Sequence, residues 1–272
     1  MTTFAAALAV ERPDEIAVRD QTSALSWAEV DDVLNRAVNG LLGLDLGPDR
    51  RMAVFAENAV ETGLANLAGL LAGISVVPVN FHLTAEEVAY ILNDSGARVL
   101  FVDASTAERG VTAARESSVH TVVGWGEIAA GLAEAIESWT AWLQASDPAD
   151  PPNDMPPQPN LLYTSGTTGR PKGTPLPPTM FAGGETVREH LERMAEAAKA
   201  RGIGGTQLVV GPMYHTGPLS STRMLAAGVS SVILGRFDAE KTLATIEKYQ
   251  IASTLMVPTH FVRLLALPDE VK

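Results

Sequence analysis

Tyr163-Thr164-Ser165-Gly166-Thr167-Thr168-Gly169-Arg170-Pro171-Lys172-Gly173 follows directly on Leu161-Leu162, with which Tyr163 reads as a short strand. From Thr164 to Gly173 the stretch holds four hydroxyls, three glycines and two cations in ten residues. Glycines let the backbone turn at positive φ and bring N–H groups close to a ligand, hydroxyls donate to oxyanions, and an ammonium on a flexible stem supplies a point charge for phosphate. These are the ingredients of a phosphate cradle. No Asp or Glu occurs from Met155 through Gly184, whereas Arg170 and Lys172 do. The 272-residue chain as a whole carries 20 Lys+Arg against 32 Asp+Glu, a net charge of −12. So acidic a surface repels DNA, RNA and anionic lipid, and an anionic substrate must be met by a local cluster of donors.

A flexible surface turn is the plainer reading, since Gly, Ser and Thr dominate loops of every kind. The order of residues is too particular for that reading. A Walker-type loop is excluded because Pro171 stands where its second glycine is required, and a serine-hydrolase elbow is excluded because its flanking glycines would fall at Tyr163 and Thr167.

Around this stretch, apolar patches alternate between helical and strand spacing, the rhythm of an α/β fold with stacked, mostly parallel sheets flanked by helices. Ser26 with Glu29 and Thr84 with Glu87 fit the S/T-x-x-E capping box, and Val88, Ile91 and Leu92 form one buried stripe behind the second. Strands are expected over 52–55, 75–79, 99–102, 121–123, 207–210, 231–234 and 254–257. Helices are expected over 58–71, 126–144, 185–200 and from the N-cap Asp238 to about Tyr249. Residues 146–160 hold six prolines and three aspartates and read as a solvated connector.

With 46% hydrophobic residues the chain is not disordered, and without cysteine it has no disulfide framework, thiolate nucleophile or cysteine zinc site. The apolar run Phe4 to Val10 lacks a basic flank, and the stretch Leu64 to Val79 is interrupted by Asn66, Gly69, Gly73 and Pro78. No segment reads as a leader or a span of roughly 20 apolar residues, and a cytoplasmic location is expected.

Tyr163 to Gly173 resembles the signature loop of the adenylate-forming superfamily, which includes acyl-CoA synthetases, firefly luciferase and the adenylation domains of peptide synthetases. Weaker likenesses stand around it in family order: Leu25 to Val30, Gly73 to Asn80, Thr84 to Asp94, Pro212 to Gly217, Phe237 to Glu240 and Val257 to Phe261. The resemblance implies that the loop wraps the β- and γ-phosphates of ATP while a carboxylate attacks the α-phosphate, and that a thiol, usually of coenzyme A, then displaces AMP. It also implies that Thr164, Ser165, Thr167, Thr168 and Lys172 contact phosphate, that Gly166 and Gly169 allow the close turn, that Thr164 meets Mg²⁺, and that His215 lies near the acyl-binding and thiol-entry region. Thr164, Lys172 and His215 are thus the candidate catalytic residues.

After Gly173 many relatives start a helix, but Thr174-Pro175-Leu176-Pro177-Pro178 delays it here. The resemblance further implies a partial N-terminal AMP-binding domain, 1–272, with one lobe over 48–200 carrying the loop, a second lobe from 1–47 plus 201–272, and no C-terminal domain. The family's adenine- and ribose-binding segments and its C-terminal catalytic lysine find no match, so the chain is expected to be inactive alone. A non-catalytic nucleotide- or acyl-binding module, or an interaction module that self-associates, is the alternative.

Among the histidines, His82 and His120 have no ligand spacing, His190 reads as part of a solvated charged face, and His260 reads as packing or lining an acyl pocket. Met213, Tyr214 and Thr216 stand where amino-acid-activating relatives carry an acidic anchor, so the substrate is expected to be an uncharged-tail fatty or aryl acid. Leu219, Met224, Leu225, Leu255, Met256 and Val257 would suit either such a pocket or plain core.

Overall fold

A computed structural model of the chain describes residues 4–164, 170–180 and 182–271. The chain opens with α1 (Phe4–Glu11), the hairpin β1 (Ile16–Arg19) and β2 (Ala24–Ser26), and α2 (Trp27–Leu42). Alternation follows through β3 (Arg51–Phe55), α3 (Val60–Leu71), β4 (Ser75–Pro78), α4 (Ala85–Ser95), β5 (Val99–Asp103), α5 (Ala107–Arg115) and β6 (Thr121–Trp125). Next come β7 (Glu137–Ser138), α6 (Trp139–Ala145), β8 (Asn160–Thr164), β9 (Lys172–Leu176) and α7 (Val187–Ala200). The last elements are β10 (Thr206–Val209), α8 (Thr216–Arg223), β11 (Ser230–Ile233), α9 (Ala239–Lys248), β12 (Ile251–Thr254) and α10 (Pro258–Leu265).

Two five-stranded sheets result, in the orders β12-β10-β11-β1-β2 and β4-β3-β5-β6-β7, and all their pairings are parallel except β1 with β2. In the second sheet the central strands are apolar on both faces, as strands covered by helices on each side must be. Met52 and Val54 of β3, with Val99 and Phe101 of β5, point into one core. Ala53 and Phe55, with Leu100 and Val102, point into the other. The first core also takes α2 and α3 together with Val18, Val209 and Ile233 from the first sheet, so those two helices lie where both sheets bury their apolar faces. Close packing there depends on Gly69, where a Cβ would stand 2.4 Å from Val76 Cγ2. The second core is closed by α4 and α5 through Val88, Ile91, Leu92, Ala107 and Val111. Both capping boxes are formed, at Ser26 before α2 and at Thr84 before α4.

Three stretches depart from their patterns. Residues 126–144 do not form one helix: Gly126 turns at φ 82°, a single 3-10 turn covers Ala130–Leu132, and only α6 is helical beyond it. The reason lies in β6, where Gly124 leaves room that Ile136 fills, 2.6 Å from where a Cβ would stand, which draws Glu137 and Ser138 into the sheet beside Val123 and Gly124. The strand expected over 254–257 instead takes Ile251–Thr254, because Val257 is the N-cap of α10 and Pro258 opens that helix, where its fixed φ fits and its missing N–H costs nothing. The connector is solvated over 147–150 but packed in its second half. Asn153 is buried and accepts from the Arg188 guanidinium at 2.8 Å, the Met155 carbonyl accepts from Val187 N at 2.8 Å, and the Pro159 carbonyl accepts from Ser75 Oγ at 2.6 Å.

Candidate functional site

In parallel α/β sheets the loops that bind ligands gather at the carboxyl ends of the strands, where backbone donors and helix N-termini converge. Here those ends are tied together by a residue with no motif around it. Asn58, three residues past β3 and buried, donates from Nδ2 to the carbonyls of Gly211 (2.8 Å) and Leu234 (3.1 Å), and its Oδ1 accepts from Met213 N at 2.9 Å. Its partners follow β10 and β11, so Asn58 fastens the end of the second sheet to that of the first. Beside it, Asp103 accepts from the backbone N of Glu57 at 2.9 Å, and the Glu57 carboxylate meets Arg236 at 2.6 Å.

The glycine- and hydroxyl-rich stretch hangs from an antiparallel pair, β8 with β9, in which Tyr163 lies opposite Gly173 and Thr164 opposite Lys172. Leu161 and Leu162 anchor the base in the interior, and Thr164 and Lys172 emerge into solvent. Thr164 and Lys172 are therefore neighbours across the hairpin mouth, while Ser165, Gly166, Thr167, Thr168 and Gly169 lie outside the described residues. Among the described residues no carboxylate pairs with the Lys172 ammonium. Hydroxyls and an ammonium that no carboxylate among the described residues pairs with suit the oxygens of an anion. The described residues include no group of three or more His, Asp or Glu side chains that could hold a metal ion.

Helix α4 meets both arms of the hairpin. The Tyr163 hydroxyl donates to Asp94 Oδ2 at 2.6 Å, the Tyr90 hydroxyl donates to the Pro171 carbonyl at 3.1 Å, and the Arg170 guanidinium lies 5.0 Å from the centre of the Tyr90 ring. Burial first, and then the Asp94 carboxylate, hold the Tyr163 phenol well above the ordinary tyrosine range, so it stays a donor.

His215 stands apart from the hairpin, at the N-cap of α8 in the turn that leaves β10. Its backbone N donates to Pro212 O at 3.0 Å, and burial pushes its imidazole below the usual histidine pKa. The Tyr214 ring lies 4.4 Å from the His215 ring and meets Phe81 edge-on at 5.3 Å, and Tyr214 and Tyr163 both pack against the second core. On the other side Leu255 crowds Gly217, where a Cβ would stand 2.8 Å from Leu255 Cδ2. The structure thus brings Thr164 and Lys172 together and sets His215 on a separate element. Leu219 and Leu225 are buried, whereas Leu255 and Val257 are about half exposed.

His190 is not on a solvated face. It is fully buried beneath the turn before α7, its Nδ1 bonded to the Gly183 carbonyl at 2.6 Å, and burial lowers its pKa. Of the charged neighbours that suggested exposure, Glu185 precedes the helix, and Arg188, Glu189, Glu192 and Arg193 occupy its other faces. His260 stacks on Phe237 at 4.3 Å. Local spacing carries no signal for the contacts of Asn58, Tyr90 or Asp94, since Asn58 and Gly211 are 153 residues apart and Tyr90 and Pro171 are 81 apart.

Fold and site together define an α/β protein with two parallel-rich sheets joined at their strand ends and a glycine- and hydroxyl-rich hairpin beside them. The chain belongs to the AMP-binding enzyme family, whose model matches residues 5–272. It is 29% identical over 267 residues to the fatty acid–[acyl-carrier-protein] ligase ScoC of Streptomyces coeruleorubidus, covering 96% of this chain and 48% of that protein. Among solved structures, the inhibitor-bound N-terminal domain of FACL13 from Mycobacterium tuberculosis superposes with a TM-score of 0.76 at 23% identity, over 100% of this chain and 67% of that one. The o-succinylbenzoate coenzyme A synthetase MenE of Bacillus subtilis, in complex with AMP, gives 0.70 at 21% identity over 99% and 65%. The chain spans about half the length of the curated relatives it matches. No helix among the described residues is long and apolar enough to cross a membrane.

Proposed function

We propose that this chain supplies the phosphate-binding part of an ATP-dependent acid–thiol ligase, acting on a carboxylic acid with an uncharged fatty or aryl tail. The observation that carries the reading is the pairing of Thr164 with Lys172 at the mouth of a hairpin free of carboxylates, on a chain of net charge −12. In the reaction a carboxylate oxygen bonds to the α-phosphorus of ATP, the bond to the β-phosphate oxygen breaks and pyrophosphate leaves. The sulfur of coenzyme A then bonds to the acyl carbon and AMP departs. Lys172 offsets the charge growing on the leaving pyrophosphate, and Thr164, with Ser165, Thr167 and Thr168, donates to its oxygens. The Thr164 hydroxyl would help hold a Mg²⁺ ion, which would supply further charge neutralisation. His215, whose imidazole burial makes harder to protonate, would meet the acyl group or the arriving thiol.

Binding is the assay suited to this chain. Calorimetric titration with MgATP and with inorganic tripolyphosphate should give saturable binding that Lys172→Ala weakens by about ten- to a hundredfold, the loss of a charge-assisted hydrogen bond of about 1.5–3 kcal/mol, with an unchanged circular dichroism spectrum. Equal affinity in the variant removes the phosphate role. Exchange of labelled pyrophosphate into ATP, driven by a panel of fatty and aryl acids and measured on the protein that carries this chain, distinguishes a ligase from a binding module. Absence of exchange with every acid would favour the module.

A further inference from the structure

The two anchors from α4 flank the Thr164–Lys172 pair, one at Tyr163, which pairs with Gly173 inside the ladder, and one at Pro171 on the loop side. Tyr163 immediately precedes Thr164, and Pro171 immediately precedes Lys172. Tyr90 and Asp94 are four residues apart and so share one face of the helix. Asp94 accepts the hydroxyl of the entering arm at 2.6 Å, and Tyr90 donates to the carbonyl of the leaving arm at 3.1 Å. The same Tyr90 ring lies under the Arg170 guanidinium, an arrangement that holds a cation at the mouth without neutralising it. The helix offering this face is itself well fixed. Its start is closed by the Thr84–Glu87 capping box, its opposite side is packed through Val88, Ile91 and Leu92, and Asn93 Nδ2 donates to Glu116 O at 2.8 Å near its end.

We infer that α4 is a clamp that sets the aperture of the phosphate hairpin, with Tyr90 and Asp94 as positioning residues that act through its two arms and touch no substrate. The inference rests on the phosphate-binding reading of the hairpin and extends it. The competing account is that the β8–β9 ladder alone spaces Thr164 from Lys172, in which case the contacts to α4 could be removed without consequence. A clamp is the better fit to the geometry because Tyr163 and Pro171 both adjoin the Thr164–Lys172 pair, the last of the ladder among the described residues, and one helix holds both. Hydrogen bonds to both arms from one rigid helix do this.

Two measurements on the full 272-residue chain decide it. The first is the affinity for inorganic tripolyphosphate by calorimetry, and the second is the rate of tryptic cleavage at Lys172–Gly173, read by mass spectrometry against cleavage at other sites. Tyr90→Phe keeps the ring and its packing but removes the hydroxyl, Asp94→Ala removes the acceptor, and Asp94→Asn restores an acceptor oxygen. Loss of one hydrogen bond corresponds to about fivefold, so Tyr90→Phe and Asp94→Ala are each expected to weaken tripolyphosphate by about that factor and to speed cleavage at Lys172 selectively, with Asp94→Asn close to wild type in both. Wild-type affinity and cleavage in both Tyr90→Phe and Asp94→Ala overturn the clamp, and so does an Asp94→Asn variant as impaired as Asp94→Ala. Should one substitution prevent folding, the other residue's variants still decide. If the wild-type chain binds no tripolyphosphate, the phosphate reading fails, while the cleavage rates continue to report on the clamp.

Discussion

Replacing Asn58 by alanine removes the fastening between the two sheets. The side chain is 8% exposed and makes three hydrogen bonds, two as donor to Gly211 and Leu234 and one as acceptor from Met213. Alanine leaves two carbonyls and an amide without partners in a place water enters poorly, and at about 1 kcal/mol for each bond the loss is about 3 kcal/mol. That is a substantial part of the roughly 5–15 kcal/mol by which folded proteins exceed their unfolded state. At roughly 2–4 °C per kcal/mol for a chain of this size, the melting midpoint should fall by about 6–12 °C. Urea denaturation should show a lower midpoint at an unchanged slope. Asn58→Asp is a sharper comparison: it keeps the acceptor but turns a carboxylate toward two carbonyls, so it should destabilise more than alanine above its own pKa and recover in acid. Because Met213 leads directly into Tyr214 and His215, the His215 ring resonance should shift in the variant as well. A loss below about 1 kcal/mol for Asn58→Ala, within the ordinary range for a single hydrogen bond, would refute the reasoning.

Thr84→Ala opens the capping box before α4, where Thr84 Oγ1 accepts from Glu87 N at 3.4 Å and donates to Glu87 Oε2 at 3.0 Å. It should cost about 1 kcal/mol in urea denaturation and increase hydrogen exchange in the first turn of α4, and protection equal to wild type would contradict it. His190 is buried with its Nε2 unpartnered among the described residues, and its folded pKa lies below the unfolded one. The unfolded chain therefore takes up the proton first, so the stabilisation from the neutral ring is complete above about pH 6.5 and is lost as pH falls through the folded pKa. The difference in melting temperature between wild type and His190→Gln, measured from pH 8 to pH 5, should accordingly shrink with acid, and a constant difference would exclude this linkage. Gly184 sits at φ 108° with a Cβ position 2.7 Å from His190 N, so Gly184→Ala should destabilise by at least about 1–3 kcal/mol in the same assay.

Much of the fold was written locally. The capping boxes at Ser26 and Thr84 were legible because their partners are three residues apart, and the buried parallel strands because a strand covered on both faces must be continuously apolar. Where reading failed, a distant contact had overruled a local pattern. Residues 126–144 carry helical spacing, yet Ile136 finds the space over Gly124 and draws the next two residues into the sheet. His190 sits among charges in sequence but turns to the Gly183 carbonyl, because a helix surrounded by charged residues still has one face to bury.

Composition, the acid-free window from 155 to 184 and the order of residues from Tyr163 to Gly173 set the chemistry by themselves, since glycine, hydroxyl and ammonium keep their donor character wherever the chain places them. Position had to come from three dimensions. That Thr164 faces Lys172, that Asn58 joins the ends of two sheets, and that Tyr90 and Asp94 reach the two arms of the hairpin all depend on residues between 8 and 176 positions apart being brought within contact distance. Sequence order carries no record of such distances. They are set by which apolar faces bury one another, and that choice is made by the packed core as a whole.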